Sequence, residues 1–104
     1  MAERQDRFDG EILEKAEEGL KEPNMYRILL LNDDYTTQDF VVEILVTVFH
    51  KQPVDATRIM LDVHKKGRGV VGLYPYDIAA TKVKQVKEMA RQREFPLKCV
   101  MEKA

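Results

Sequence analysis

The apolar run Ile28-Leu29-Leu30-Leu31, which ends abruptly at the polar cluster Asn32-Asp33-Asp34, constrains the fold of this chain more than any other feature. A short apolar run bounded by turn-forming residues is typical of a buried strand. The run is also far below the ~20 residues that a membrane-spanning helix needs. We therefore expect a small domain built around this strand, with no membrane partner.

The first 24 residues lack the apolar surface that a packed unit needs. Their large apolar residues are Phe8, Ile12, Leu13 and Leu20. Burying these few side chains does not offset an ordering cost of ~1–2 kcal/mol per residue. The segment carries a net charge of −4, whereas residues 25–104 carry +3. We expect residues 1–24 to be a flexible, disordered acidic extension, either a solvating tail or an arm that acts on a partner, and residues 25–104 to form the one domain.

The hydrophobic pattern of residues 25–104 alternates between strand and helix signals. Thr36, with Asp39 three residues later, is typical of a capping box and favours a helix in the β-branched segment that follows. Gly67 suits the end of the next helix, and Pro75 the start of the last one. The predicted elements are a strand over 26–31, helices over 40–50 and 55–66, a strand over 69–74, a helix over 75–93 and a strand over 97–101. This β-α-α-β-α-β order predicts an α+β fold, with three helices packed on a small three-stranded antiparallel sheet.

Helical periodicity assigns a buried and a solvated face to the third helix. The residues predicted to point inward are Ile78, Ala79, Val83, Val86, Met89 and Ala90. The residues predicted to face water are Lys82, Lys84, Lys87 and Arg91. The separation of the two sets predicts an amphipathic helix that covers the sheet.

Composition argues against several classes of function. The chain has 17 basic and 18 acidic residues, without the basic excess of a dedicated nucleic-acid binder. Its single cysteine, Cys99, excludes an intramolecular disulfide, and two histidines do not indicate a zinc site. The chain contains no serine and no glycine-rich phosphate loop, so nucleophilic catalysis has little support and we expect no cofactor. His64 with Asp33 or Asp34 would form an acid–base pair only if the fold brings them together. The first residues resemble no signal peptide, which predicts a cytoplasmic location.

Two groups of residues are candidates for a binding site. The cluster 32–34 follows a strand and precedes a helix, where Asn and Asp ordinarily form turns and caps. The same acceptors beside an apolar cavity would suit an ammonium group. Met60, Val63 and His64 share one helix face. That face is either ordinary core with a boundary histidine, or an apolar hole with a hydrogen-bonding group at its mouth.

Several separated motifs closely resemble the ClpS family of bacterial Clp protease adaptors. The motifs run from Met25 to Thr36, from Met60 to His64 with Gly67, and from Pro96 to Ala104. The resemblance implies an adaptor that is not an enzyme. Such adaptors bind N-degron substrates through a free α-amino group and a large hydrophobic first residue (Leu, Phe, Tyr or Trp). They then deliver the substrate to the AAA+ unfoldase ClpA for degradation by ClpP.

The resemblance also implies roles for individual residues. Those that would surround the substrate backbone and α-amino group are Asn32, Asp33, Asp34, Thr36 and His64, with Asn32, Asp34 and His64 reading the amino group. Those that would form the side-chain pocket are Gln38, Val41, Met60, Val63 and Leu97. Asp77 and Lys82 would contact the N-terminal domain of the unfoldase, and the acidic extension would act in delivery. We expect a monomer that contacts no nucleic acid.

Two positions depart from the family pattern. Thr37 replaces a proline that is common in the family, which should leave the helix cap intact. Gln38 stands at the predicted pocket entrance, where many relatives have methionine, so a polar side chain there would alter which first residues are accepted. A different class of function also fits a small α+β domain. The alternative is a non-catalytic interaction domain like the C-terminal domain of the ribosomal stalk, which would use exposed helix surface and need no pocket for an amino group.

Overall fold

The computed structural model describes residues 24–104. Its elements are β1 (Met25–Leu31), α1 (Gln38–Thr47), α2 (Pro53–Lys66), β2 (Arg68–Pro75), α3 (Tyr76–Gln92) and β3 (Lys98–Lys103). The predicted β-α-α-β-α-β order and the three-stranded antiparallel sheet are confirmed. The extension expected over residues 1–24 lies, except for Asn24, outside the described residues.

Strand β1 is the centre of the sheet, with β2 on one side and β3 on the other, both antiparallel to it. Ile28 and Leu30 point into the core beneath the helices and are fully buried. Leu29 is only 2% exposed, yet it lies on the opposite face, where its register partners are Val70 and Val100. Apolar contacts on both faces explain why this strand is a continuous apolar run rather than an alternating one.

The three helices pack on the inner face of the sheet around a single core. The largest fully buried side chains are Phe40, Ile28, Leu30, Ile44, Leu45 and Val86. Helix α2 closes with Gly67 in the left-handed conformation (φ 90°), and the Gly67 N–H donates to the Val63 carbonyl. Because glycine adopts positive φ without steric cost, the chain turns there directly into β2.

Two helix starts differ from the sequence prediction. The N-cap of α1 is Thr37 rather than Thr36, because the Thr37 hydroxyl accepts the Phe40 N–H at 3.1 Å. Helix α2 starts at Pro53 rather than Asp55, since proline lacks the N–H that a first turn leaves unpaired and its fixed φ suits a helix. Helix α1 also ends earlier than predicted, at Thr47, and the chain then reverses through His50 at φ 57°.

Two assignments on α3 were wrong. Ile78, predicted to point inward, is 47% exposed. Lys82, predicted to face water, is half-buried, and its Nζ donates to the Val48 carbonyl at 2.8 Å. The same Nζ lies 5.7 Å from the ring centroids of Phe49 and Tyr74. Lys82 therefore provides a hydrogen-bond donor for a carbonyl at the end of α1, and its ammonium group makes cation–π contacts with two aromatic rings.

Within residues 24–104, no helix combines the length and the apolar character needed to cross a membrane. The same part of the chain contains no cluster of three or more His, Cys, Asp or Glu side chains placed to hold a metal ion.

Candidate functional site

A cavity of about 260 Å³ opens between the loop that follows β1 and the helices α1 and α2. The residues that line it are Asn32, Asp33, Asp34, Thr36, Gln38, Val41, Met60, Val63 and His64. The fold therefore brings together nine of the ten side chains that sequence analysis placed at the substrate. The tenth, Leu97, is 6% exposed and belongs to the core, outside the lining of this cavity.

Asp33 holds the loop in shape. Its Oδ1 accepts the N–H groups of Tyr35 at 2.8 Å and Thr36 at 2.7 Å, and its Oδ2 accepts the Thr36 hydroxyl at 2.7 Å. Partial burial acts to raise the pKa of Asp33, but the bonds from Thr36 and Tyr35 outweigh it and hold that pKa below its ordinary value. Three bonds to one carboxylate fix the conformation of the loop, so Asp33 and Thr36 help to position the other residues of the site.

Besides Gln38, three exposed polar side chains line the mouth of the cavity: Asn32, Asp34 and His64. Within residues 24–104 the side chains of all three are free of hydrogen bonds to other protein groups. The backbone, by contrast, is held at two of these positions, because His64 lies within α2 and Asn32 is bonded to the residue that ends it. The Asn32 N–H donates to the Gly67 carbonyl at 2.9 Å, which ties the end of β1 to the end of the helix that bears His64. Rigid backbone with unengaged acceptors is the arrangement that recognition of a donor-rich group requires.

The interior of the cavity is apolar. Its walls are Val41 from α1 and Met60 and Val63 from α2, all at most 9% exposed. Strand β2 supports this wall from behind at Gly69, where an added Cβ would lie 2.8 Å from Val63 Cγ2 and 3.0 Å from the Ile59 carbonyl oxygen. The close approach of β2 to α2 leaves Val63 backed by protein. Methionine is flexible, so Met60 can adapt the pocket to apolar guests of different shape.

A ligand that fits this site combines a cation and an apolar group. The cation would lie at the mouth, beside Asp34 and the amide and imidazole acceptors, and the apolar group would enter the cavity. Gln38, at the N-terminus of α1, is exposed at the edge of the cavity and adds an amide to the entrance.

The two residues that the resemblance assigned to the unfoldase, Asp77 and Lys82, lie together elsewhere. They line a groove of about 480 Å³ between α1 and α3, here called the α1–α3 groove. His50 and the exposed Ile78 line it as well. Sequence analysis missed these two, because periodicity assigned Ile78 to the core and His50 carries no local motif.

A family model for the ATP-dependent Clp protease adaptor protein ClpS matches residues 21–100 of this chain. An ATP-dependent Clp protease adapter protein ClpS of Acetivibrio thermocellus is 70% identical over 82 residues, which cover 79% of this chain and 83% of the relative. The protein of the same name from Syntrophus aciditrophicus is 60% identical over 95 residues, covering 91% and 89%.

A solved structure, Agrobacterium tumefaciens ClpS2 bound to L-phenylalaninamide, superposes with a TM-score of 0.77 at 36% identity. The match covers 80% of this chain and all of the Agrobacterium chain. Fold and sequence therefore agree on the same group of relatives.

Proposed function

The chain belongs to the ClpS family of ATP-dependent Clp protease adaptor proteins, and from this we propose that it is a non-catalytic cytoplasmic adaptor for N-degron substrates. It recognises a free α-amino group together with a large hydrophobic first residue: Leu, Phe, Tyr or Trp. It then delivers the substrate to the N-terminal domain of ClpA, acting as a monomer, and ClpP degrades it.

One observation carries the recognition step: exposed acceptors surround the mouth of a cavity whose interior is apolar. An α-ammonium group brings three donors and one positive charge, which Asn32, Asp34 and His64 can receive. The apolar side chain of the same substrate residue then lies inside the cavity, in contact with Met60 and Val63. L-Phenylalaninamide, the ligand of the Agrobacterium relative, has this combination of a free amine and an apolar side chain. A stalk-type interaction domain would not need such a cavity.

The experiment that tests this function is a set of peptides that differ only in their first residue. We expect free N-terminal Leu, Phe, Tyr and Trp to bind far more tightly than Gly, Glu or Lys, since only the first group fills the cavity. Fluorescence anisotropy with labelled peptides measures the Kd values. Equal affinity across the set would exclude this function.

Met60→Ala is expected to change the order of preference within that set. The shorter alanine side chain leaves a gap between the cavity wall and a bound leucine side chain, so the affinity for the peptide that begins with Leu falls about fivefold. The affinity for the peptide that begins with Trp therefore rises relative to it. Met89→Ala is the matched control, because Met89 packs on the core from α3, outside the cavity lining. An unchanged ratio of Leu to Trp affinity in a folded Met60→Ala protein would mean that Met60 serves only the core.

For delivery, Asp77 offers a cleaner test than Lys82. Lys82 bonds the Val48 carbonyl, so its replacement would disturb the end of α1. Asp77 is exposed in the first turn of α3, and Asp77→Lys reverses a charge in the α1–α3 groove without breaking a described contact. We expect degradation of a Leu-initiated fluorescent protein by ClpA and ClpP to slow about fivefold, with peptide affinity unchanged.

The control for this variant is Asp55→Lys, which reverses a first-turn carboxylate on α2 instead. It removes the same contribution to a helix N-terminus, together with an exposed ion pair to Arg58 at 3.6 Å, but leaves the α1–α3 groove intact. Equal degradation rates for the Asp77 and Asp55 variants would show that the groove has no part in delivery.

A further inference from the structure

A second concavity adjoins the candidate cavity, on the other side of the loop that follows β1. It measures about 600 Å³ and is here called the loop groove. The residues that line it are Leu31, Asn32, Asp33, Asp34, Tyr35, Pro96 and Lys98. Residues 32–34 line both the cavity and the loop groove, so this loop is the ridge between them.

We propose that the loop groove holds the second and third residues of a bound substrate, and that Lys98 shifts the preference at those positions toward acidic side chains. The proposal rests on the function proposed above and deepens it. It concerns which sequences following the hydrophobic first residue bind well.

Continuity between the two concavities supports this path. The first residue of a substrate would fill the cavity, which at about 260 Å³ has room for one large residue. Its amino group would be held at the ridge, by Asn32 and Asp34. Each further residue of an extended chain advances by roughly 3.3 Å, so the chain that crosses the ridge lies in the loop groove within two residues. Exposed Tyr35 and Pro96 provide apolar contact there.

The charge in the loop groove comes from the end of the sheet. In the strand register, Leu31 stands directly opposite Lys98 of β3 and Arg68 of β2. Side chains opposite one another on antiparallel strands share a face, so two cations flank Leu31. Both are exposed, and neither takes part in the ion pairs found within residues 24–104.

The carboxylates of the ridge are already engaged in this arrangement. Both oxygens of Asp33 accept bonds from within the loop, and Asp34 faces the substrate amine. Both carboxylates still repel an acidic side chain of the substrate, so the preference between acidic and basic residues at positions 2 and 3 depends on all of these charges. The contribution of Lys98 is isolated by the change in preference when its charge is reversed.

The test compares two peptides that begin with free leucine and differ only at positions 2 and 3, which are Glu-Glu in one and Lys-Lys in the other. The measured quantity is the ratio of the Kd of the Lys-Lys peptide to that of the Glu-Glu peptide. Lys98→Glu is expected to lower this ratio about three- to tenfold, and 0.5 M NaCl to reduce the effect, because exposed charges are screened by salt.

Lys87→Glu is the matched control, because it makes the same change in net charge at an exposed position of α3. Its ratio should equal that of the unmodified protein. If Lys98→Glu also leaves the ratio unchanged, the chain does not run through the loop groove and the inference is wrong. If neither leucine peptide binds the unmodified protein, the proposed function fails, which is a separate result.

Discussion

A peptide that begins with leucine is expected to lose at least about 100-fold in affinity when its α-amino group is acetylated. Acetylation removes the positive charge and two of the three donors, which leaves Asn32, Asp34 and His64 facing a group that cannot satisfy them. Hydrogen bonds to charged groups contribute about 1.5–3 kcal/mol each, so the loss of two corresponds to at least two orders of magnitude. Titration calorimetry with the paired peptides measures the difference.

Bulk is the competing explanation for such a loss, because an acetyl group also occupies space at the mouth. A peptide capped with 4-methylpentanoate in place of leucine separates the two effects. It retains the leucine side chain, lacks the amine and adds no atoms. We expect it to bind as weakly as the acetylated peptide. If it binds like free leucine, the polar groups at the mouth do not read an amine, and the recognition step proposed here is wrong.

Asp34→Ala is expected to weaken binding of the same free leucine peptide about 10- to 100-fold while the melting temperature stays within a few degrees. The Asp34 carboxylate is exposed at the mouth and bonds no other described group, so its removal costs the ligand a charged acceptor and the fold very little. Affinity and thermal unfolding, measured on the same preparation, give both quantities. Unchanged affinity would remove Asp34 from the site.

The neighbouring Asp33→Ala serves as the contrasting variant. Asp33 accepts three hydrogen bonds within the loop, so its loss is expected to lower the free energy of unfolding by about 1–2 kcal/mol. Binding would weaken as a consequence of a disordered loop. A loss of stability in Asp33→Ala but not in Asp34→Ala, with weaker binding in both, would support a structural role for Asp33 and a ligand contact for Asp34.

The sequence alone was informative about the elements and their order. Apolar runs, helical periodicity, Gly67 and Pro75 placed every strand and helix to within a few residues, because these signals act between residues at most four apart. The resemblance to known motifs then selected the residues around the cavity. Sequence reasoning from the residues themselves left the cluster 32–34 between a turn and a binding site. In the structure, Asp33 forms the turn and Asp34 lies at the mouth.

The cap of α1 shows a limit of local sequence signals. Sequence analysis placed the cap at Thr36, but in the structure the Thr36 hydroxyl is bonded to Asp33 and Thr37 caps the helix instead. Lys82 and Ile78 are a second case. Helical periodicity predicts which residues share a face of α3, but not which of them a neighbouring segment covers. The turn at His50 brings Val48 and Phe49 over Lys82 and leaves Ile78 open.

The sequence by itself determined the order of the elements, the apolar strand at the centre and the inventory of polar groups beside it. Only the tertiary structure decided which of those groups face a ligand and which face one another, and that residues 32–34 separate two concavities. The physical reason lies in the range of the interactions. Helix and strand signals are local, whereas the partner of a carboxylate or the exposure of an isoleucine is set by segments tens of residues away, which meet only in the folded chain.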